Sequence, residues 1–203
     1  DGSPLPRLEL PSAIALRTGK KVGPNTVGYF KKSIHACVWL SVTATPLFRD
    51  GSEAPDQVYL MLEDITAQRK AQQDYELLFR EMGDAFALHE VICDEAGAVV
   101  DYRFLTVNPA FERMTGLKSN DVIGKSVLEI LPDTELYWIQ AYGQVVLTGK
   151  PVTFQNYSGT LDKYFNVTAY RTAPMQFACT FTDVSNQVLF QQEQERAQEQ
   201  INR

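Results

Sequence analysis

The run Val107-Asn108-Pro109-Ala110-Phe111-Glu112-Arg113-Met114-Thr115-Gly116 decides how the rest of the chain is read. Asparagine is a strong helix cap, and proline is tolerated at the first helical position because its missing N–H has no helical partner there anyway. Phe111 and Met114 share a face, and Gly116 supplies the left-handed residue that commonly closes a helix. Residues 99–107, rich in Val, Tyr and Phe, read as a strand, so the helix follows a strand directly.

Working outward, residues 86–92 mix apolar and polar side chains like a second strand, and Asp94-Glu95-Ala96-Gly97 joins the two as a hairpin turn. Downstream, Ser119-Asn120-Asp121 opens a short helical segment holding Val122 and Ile123, and residues 127–131 give another that stops before Pro132. Asp133 is expected to cap a longer helix running to Thr148, with Trp138, Tyr142 and Val145 on one stripe and Gly149 at its end. Residues 152–157, 164–171 and 177–182 then read as three strands separated by turns. Two strands, short helices, one longer helix and three strands predict an α+β fold, a five-stranded antiparallel sheet with helices on one face.

An internal repeat organises the remainder. Thr148-Gly149-Lys150 echoes Thr18-Gly19-Lys20, Val167-Thr168-Ala169 echoes Val42-Thr43-Ala44, and Asp183-Val184-Ser185 echoes Asp64-Ile65-Thr66. The offsets, 130, 125 and 119 residues, shrink along the chain, so the first copy has the longer loops. Extrapolated backwards, the first copy would begin about fifty residues before Asp1, so it is expected to be a C-terminal half. The expected organisation is a half domain at 1–66, a helical linker at 67–78, a complete domain at 79–185 and a C-terminal helix at 186–203. A bare half sheet is marginal. Its apolar face, Val38, Leu40 and Val42 or the neighbours Trp39 and Val58, is expected to stand exposed or to pack on a partner.

Composition narrows the function. The 203 residues carry 19 basic and 25 acidic side chains, a net charge of -6 that disfavours a broad nucleic-acid surface. No apolar run is long enough to span a membrane, and the N-terminus lacks signal-peptide features. Three scattered cysteines (Cys37, Cys93, Cys179) and two distant histidines (His35, His89) form neither a disulfide framework nor a zinc motif, and reduced thiols point to the cytoplasm. Nucleotide loops, nucleophile elbows and metalloprotease motifs are absent, so no catalytic residue is assigned.

Val107-Asn108-Pro109-Ala110-Phe111-Glu112 with Thr115-Gly116, Val122-Ile123-Gly124-Lys125, the strand Trp39 to Leu47, and the two endings Asp64-Ile65-Thr66 and Asp183-Val184-Ser185 resemble motifs of the PAS (sensory box) family in tandem form. The resemblance implies a sensory or dimerising module of a bacterial signalling protein, with an output domain such as a histidine kinase or diguanylate cyclase outside this chain. His89-Glu90-Val91-Ile92 superficially resembles a phospho-acceptor box, but Arg-Thr-Pro does not follow and the segment reads as a strand.

PAS domains enclose a cavity between helices and sheet. The resemblance therefore nominates Phe111, Met114, Trp138, Tyr142, Phe165 and Phe177 as ligand-binding wall, with Ile123, Leu128 and Val167 beside them. Asn156 and Tyr142 would supply polar contacts. The simpler reading is that the same residues fill the core. The cofactor is unknown. A flavin adduct is argued against because residues 116–150 contain no cysteine, and histidine-ligated haem because residues 133–148 contain no histidine.

The linkers carry a second expectation. Ile65, Gln68, Gln72, Tyr75, Phe79 and Met82 alternate in steps of three and four, as do Phe190, Gln194, Ala197 and Ile201. Both helices could pair in a homodimer, with Asp64, Thr66, Asp183 and Ser185 as signal-relay junctions where a carboxylate meets a helix start. A helix packed on its own sheet, and a ligand-free dimerisation spacer, are the alternatives. Small-molecule and homodimeric partners are expected, with no nucleic-acid or membrane contact by this segment and a cytoplasmic location, whether or not the parent protein is membrane-anchored.

Overall fold

The computed structural model describes residues 5–201, so the first four and last two positions of the expected terminal segments lie outside the described residues. The chain divides into two units, residues 1–76 and 77–203.

In the first unit, helix α1 (Pro11–Thr18) precedes an antiparallel sheet of β1 (Val22–Lys31), β2 (Ala36–Phe48) and β3 (Pro55–Asp64), in that order. Helix α1 ends on Gly19 at φ 65°, where glycine carries no Cβ penalty. Helix α2 (Thr66–Glu81) follows β3. The exposed apolar face is not the one expected. Val42 and Ala44 are buried beside α1, while Val38, Trp39, Leu40 and Val58 are half-buried. The Arg69 guanidinium lies 4.4 Å above the Trp39 ring. Exposure falls instead on Tyr59, Leu60, Met61 and Leu62 of β3 and on Tyr29 and Phe30 of β1.

In the second unit, β4 (Ala85–Cys93) and β5 (Val99–Val107) form the expected hairpin, its turn held by Asp94 Oδ1 accepting from the N–H groups of Ala96 and Ala98. Helices α3 (Pro109–Thr115), α4 (Ser119–Val122), α5 (Val127–Ile130) and α6 (Leu136–Thr148) come next. Strands β6 (Val152–Ser158), β7 (Lys163–Ala173) and β8 (Gln176–Asp183) complete the sheet, and α7 (Ser185–Ile201) leaves it. The order is β5-β4-β8-β7-β6, antiparallel throughout, so the last strand lies at the centre with the first strand of the unit beside it. Alternation along β4 places Ala85, Ala87, His89 and Val91 in the core.

Two local expectations are corrected. Helix α6 starts at Leu136, not behind Asp133. Pro132 and a turn closed by Thr134 N–H and hydroxyl on the Leu131 carbonyl (3.0 and 2.7 Å) use up the intervening residues. Ile123 is 45% exposed, whereas Val122 is wholly buried: α4 ends at Val122, and the extended backbone at Ile123 turns its side chain away from the core.

Candidate functional site

Asn108 builds the near wall. Its Oδ1 accepts from Phe111 N–H, capping α3, and from Phe86 N–H, both at 2.9 Å, while its Nδ2 donates to the Asp84 carbonyl at 2.9 Å. One buried side chain thus fixes the helix to strand β4 and presents Phe111 inward. Ser126 and Glu129 form a reciprocal capping box on α5, which positions Val127. Glu135 accepts from Trp138 Nε1 at 3.0 Å and from Gly159 N–H at 2.8 Å, tying α6 to the end of β6.

Between these helices and the sheet lies a cavity of about 80 Å³. Phe111, Trp138 and Tyr142 line it from the helices, and Phe165 and Val167 from β7. His89, Tyr102, Phe104, Cys179 and Phe181 complete the sheet side. Phe177 is not in the wall. It is wholly buried beneath it, near-parallel to two neighbouring rings: His89 at 4.7 Å and Tyr142 at 4.6 Å between centroids. Met114 and Leu128 pack against the core without lining the cavity, and Asn156 sits half-buried on the same sheet face as its cross-strand partner Phe165, also outside the lining.

Burial governs the chemistry here. Desolvation pushes the His89 imidazole down to about 3, so the ring is neutral. It raises the Tyr102 and Tyr142 hydroxyls and lifts the Cys179 thiol to about 12 against its hydrogen bond with Tyr142, which leaves Cys179 an inert core thiol. No Asp, Glu, Lys or Arg side chain lines the cavity. Among the described residues no cluster of His, Cys, Asp or Glu suits a metal ion.

The relay candidates do come together in hydrogen-bonded junctions. Asp64 Oδ1 accepts from Thr66 N–H at 2.9 Å, Thr66 Oγ1 accepts from Trp39 N–H at 2.8 Å, and Ile65 N–H donates to the Trp39 carbonyl at 2.9 Å. The second unit repeats this bond for bond: Asp183 with Ser185 N–H at 3.0 Å, Ser185 Oγ with Tyr164 N–H at 2.9 Å, Val184 N–H with the Tyr164 carbonyl at 2.9 Å. The α1 and α6 endings also match, Thr18 and Thr148 each returning a hydroxyl to the carbonyl four residues back. Lys163 was not foreseen. Its ammonium donates to the Met114 carbonyl at 2.7 Å and lies 3.0 Å from Asp183 Oδ2. The only sequence cue is a lysine preceding the repeated strand where the first copy has Val38.

The helical seams are less uniform than the sequence suggests. Phe79 packs edge-on against Phe86 of β4, at 5.5 Å between centroids, and Met82 lies beyond the end of α2, half-buried. Gln68, Gln72 and Tyr75 remain exposed on α2, and Phe190, Gln194 and Ala197 on α7. The side chain of Ile201 lies outside the described residues.

Comparison with known proteins agrees with this architecture. Residues 91–186 match the PAS domain family, so the second unit of this chain carries a PAS domain, a sensory rather than catalytic class of module typical of signal-transduction proteins. A domain of a sensory box sensor histidine kinase/response regulator from Geobacter sulfurreducens is 14% identical, over 57% of this chain and 96% of that one, with a TM-score of 0.43. The PAS domain of an HTR-like protein from Haloarcula marismortui is 18% identical over 58% and 94%, with a TM-score of 0.41. A sensory box sensor histidine kinase from Vibrio cholerae is 17% identical over 58% and 94%, with a TM-score of 0.39. No curated protein matches the chain. No helix among the described residues is long and apolar enough to cross a membrane.

Proposed function

We propose that this chain is a cytoplasmic relay segment of a bacterial signalling protein. Occupancy of the PAS cavity shifts the population between two arrangements of helices α2 and α7 in a homodimer, and α7 passes the change to an output domain such as a histidine kinase or diguanylate cyclase. The observation that carries this reading is the Lys163 bridge. Helix α3 contributes Phe111 to the cavity wall and the Met114 carbonyl to Lys163, and Lys163 in turn holds Asp183 at the start of α7. A ligand that displaces α3 therefore bears directly on the junction of the exit helix.

The first unit is read as the last helix and three strands of a second PAS domain, supported by the repeated hydrogen bonds at both its helix ending and its Asp-x-Thr junction. Spin labels on α7 of the 203-residue chain test the relay. Sedimentation should show a dimer, and filling the cavity should change the α7–α7 distance distribution, with Lys163→Met abolishing the change. A monomer at micromolar concentration, or an unchanged distribution with the cavity filled, overturns it.

One observation favours the rival reading of a ligand-free dimerisation spacer: the cavity is only about 80 Å³. Native mass spectrometry after gentle purification separates the two, since a sensor retains an added small-molecule mass and a spacer does not.

A further inference from the structure

We infer that the cavity takes a small uncharged molecule of a few heavy atoms with an apolar body and one hydroxyl, and that this hydroxyl completes the hydrogen bonding of His89. The inference rests on the reading of the cavity as the sensory site and specifies its ligand.

Size sets the first limit. A cavity of about 80 Å³ is roughly half the ~150 Å³ of an engineered apolar cavity that accepts benzene, which leaves room for about three to four non-hydrogen atoms. Charge sets the second. The wall holds no Asp, Glu, Lys or Arg, and an ion entering it would lose its hydration with no counter-charge.

The polar inventory sets the third. Among the described residues two buried side-chain nitrogens have no hydrogen-bond partner, Arg69 Nε in the first unit and His89 Nδ1 in the second, and only His89 belongs to the cavity wall. The other polar groups of the wall with assigned bonds are satisfied internally. Thr115 donates to the Phe111 carbonyl and Thr134 to that of Leu131. A buried nitrogen without a partner is uncommon in native proteins, because its desolvation is uncompensated. Rings on several sides hold the imidazole in place: Tyr102 at 4.9 Å, Phe104 at 4.8 Å and Phe177 at 4.7 Å between centroids. A neutral imidazole offers one donor and one acceptor nitrogen. A hydroxyl, being both donor and acceptor, matches either tautomer, whereas a carbonyl or an ether matches one.

At this size even a well-fitted ligand binds with a dissociation constant of about 10⁻⁴ M at best, suited to a metabolite present at high concentration. The probes are xenon and 1-propanol, followed by NMR on the 203-residue chain. Xenon should shift the methyl signals of Val127 and Val167. 1-Propanol should do the same saturably and also move a His89 ring-nitrogen signal. His89→Leu should weaken 1-propanol about tenfold, the worth of one neutral hydrogen bond, and xenon less than twofold, and His89→Gln should restore part of the loss. Xenon entry without saturable 1-propanol binding, or with an unmoved His89 ring at saturation, overturns the ligand class while leaving the cavity as a site. Exclusion of both probes overturns the cavity reading itself. The ring-nitrogen measurement uses the natural sequence, so the outcome is decided even where His89→Leu does not fold.

Discussion

The ammonium of Lys163 lies 3.0 Å from Asp183 Oδ2, which links the residue that opens β7 to the residue that closes β8 just before the exit helix. Burial would raise the Asp183 carboxyl, but the Ser185 side-chain and backbone hydrogen bonds and the Lys163 charge outweigh it and hold the carboxyl below its ordinary value. A depressed carboxylate contributes stability that is present above its unfolded value of about 3.9 and is lost as pH falls through the folded value. Lys163→Met should therefore move the Asp183 carboxyl back up in a carbon-detected titration and speed amide exchange at Val184. Because both side chains are about one-third exposed, the neutral-pH stability cost should stay under about 1 kcal/mol. An unshifted Asp183 titration would show that the pair is incidental.

Asn108 does more than cap. Replacing it with Ala deletes acceptors for two N–H groups, those of Phe86 and Phe111, and a donor to the Asp84 carbonyl, at a position only 1% exposed. The expected loss is about 2–4 kcal/mol, well beyond a simple cap, because buried partners are left unpaired. Urea unfolding measures it. A loss near 1 kcal/mol, the size of a cap alone, would show that the bonds to β4 contribute little.

Local signals explain why the second unit was so legible. The Asn-Pro start, the glycine ends and the strand alternation are short-range devices, and 99–107 was read with the bounds the strand has. The junction motifs were legible for the same reason, since an Asp two residues before a Thr or Ser closes on itself. What failed depended on long-range partners. The start of α6 is the exception, set by the local Leu131–Thr134 turn behind Pro132. His89, read as an ordinary strand residue, is brought to the cavity wall by sheet order alone, through pairing with Phe177 on β8 and Phe104 on β5. Asn156 of the edge strand β6 stays outside the wall, while Ser158, two residues on, belongs to it.

Trp138 joins the helical wall to the sheet. It is 6% exposed, its indole N–H is bonded to Glu135, and its ring meets Phe154 at 5.6 Å between centroids. Trp138→Ala should destabilise the PAS unit by about 3–5 kcal/mol, through lost burial and the enlarged cavity. The same substitution should admit larger apolar probes such as benzene. Unchanged unfolding would mean that this helix face is not part of the core.

The last prediction concerns acid. His89 is 2% exposed, and desolvation pushes its imidazole down to about 3 in the folded state against an ordinary value near 6.5. Below pH 6.5 the unfolded chain takes up a proton that the folded chain refuses, so stability contributed by the neutral ring is whole above pH 6.5 and drains away as pH falls toward 3. The slope is about 1.4 kcal/mol per pH unit for one proton, or about 2 kcal/mol between pH 6.5 and 5, a window above the range where most carboxylates titrate. Trp39→Phe leaves Trp138 as the single tryptophan, so urea unfolding followed by its fluorescence reports the PAS unit alone. In that background the midpoint should fall steadily from pH 6.5 to 5, and His89→Leu should flatten the fall. A variant whose pH dependence matches that of the parent would place the acid sensitivity elsewhere and show that His89 accepts its proton without unfolding.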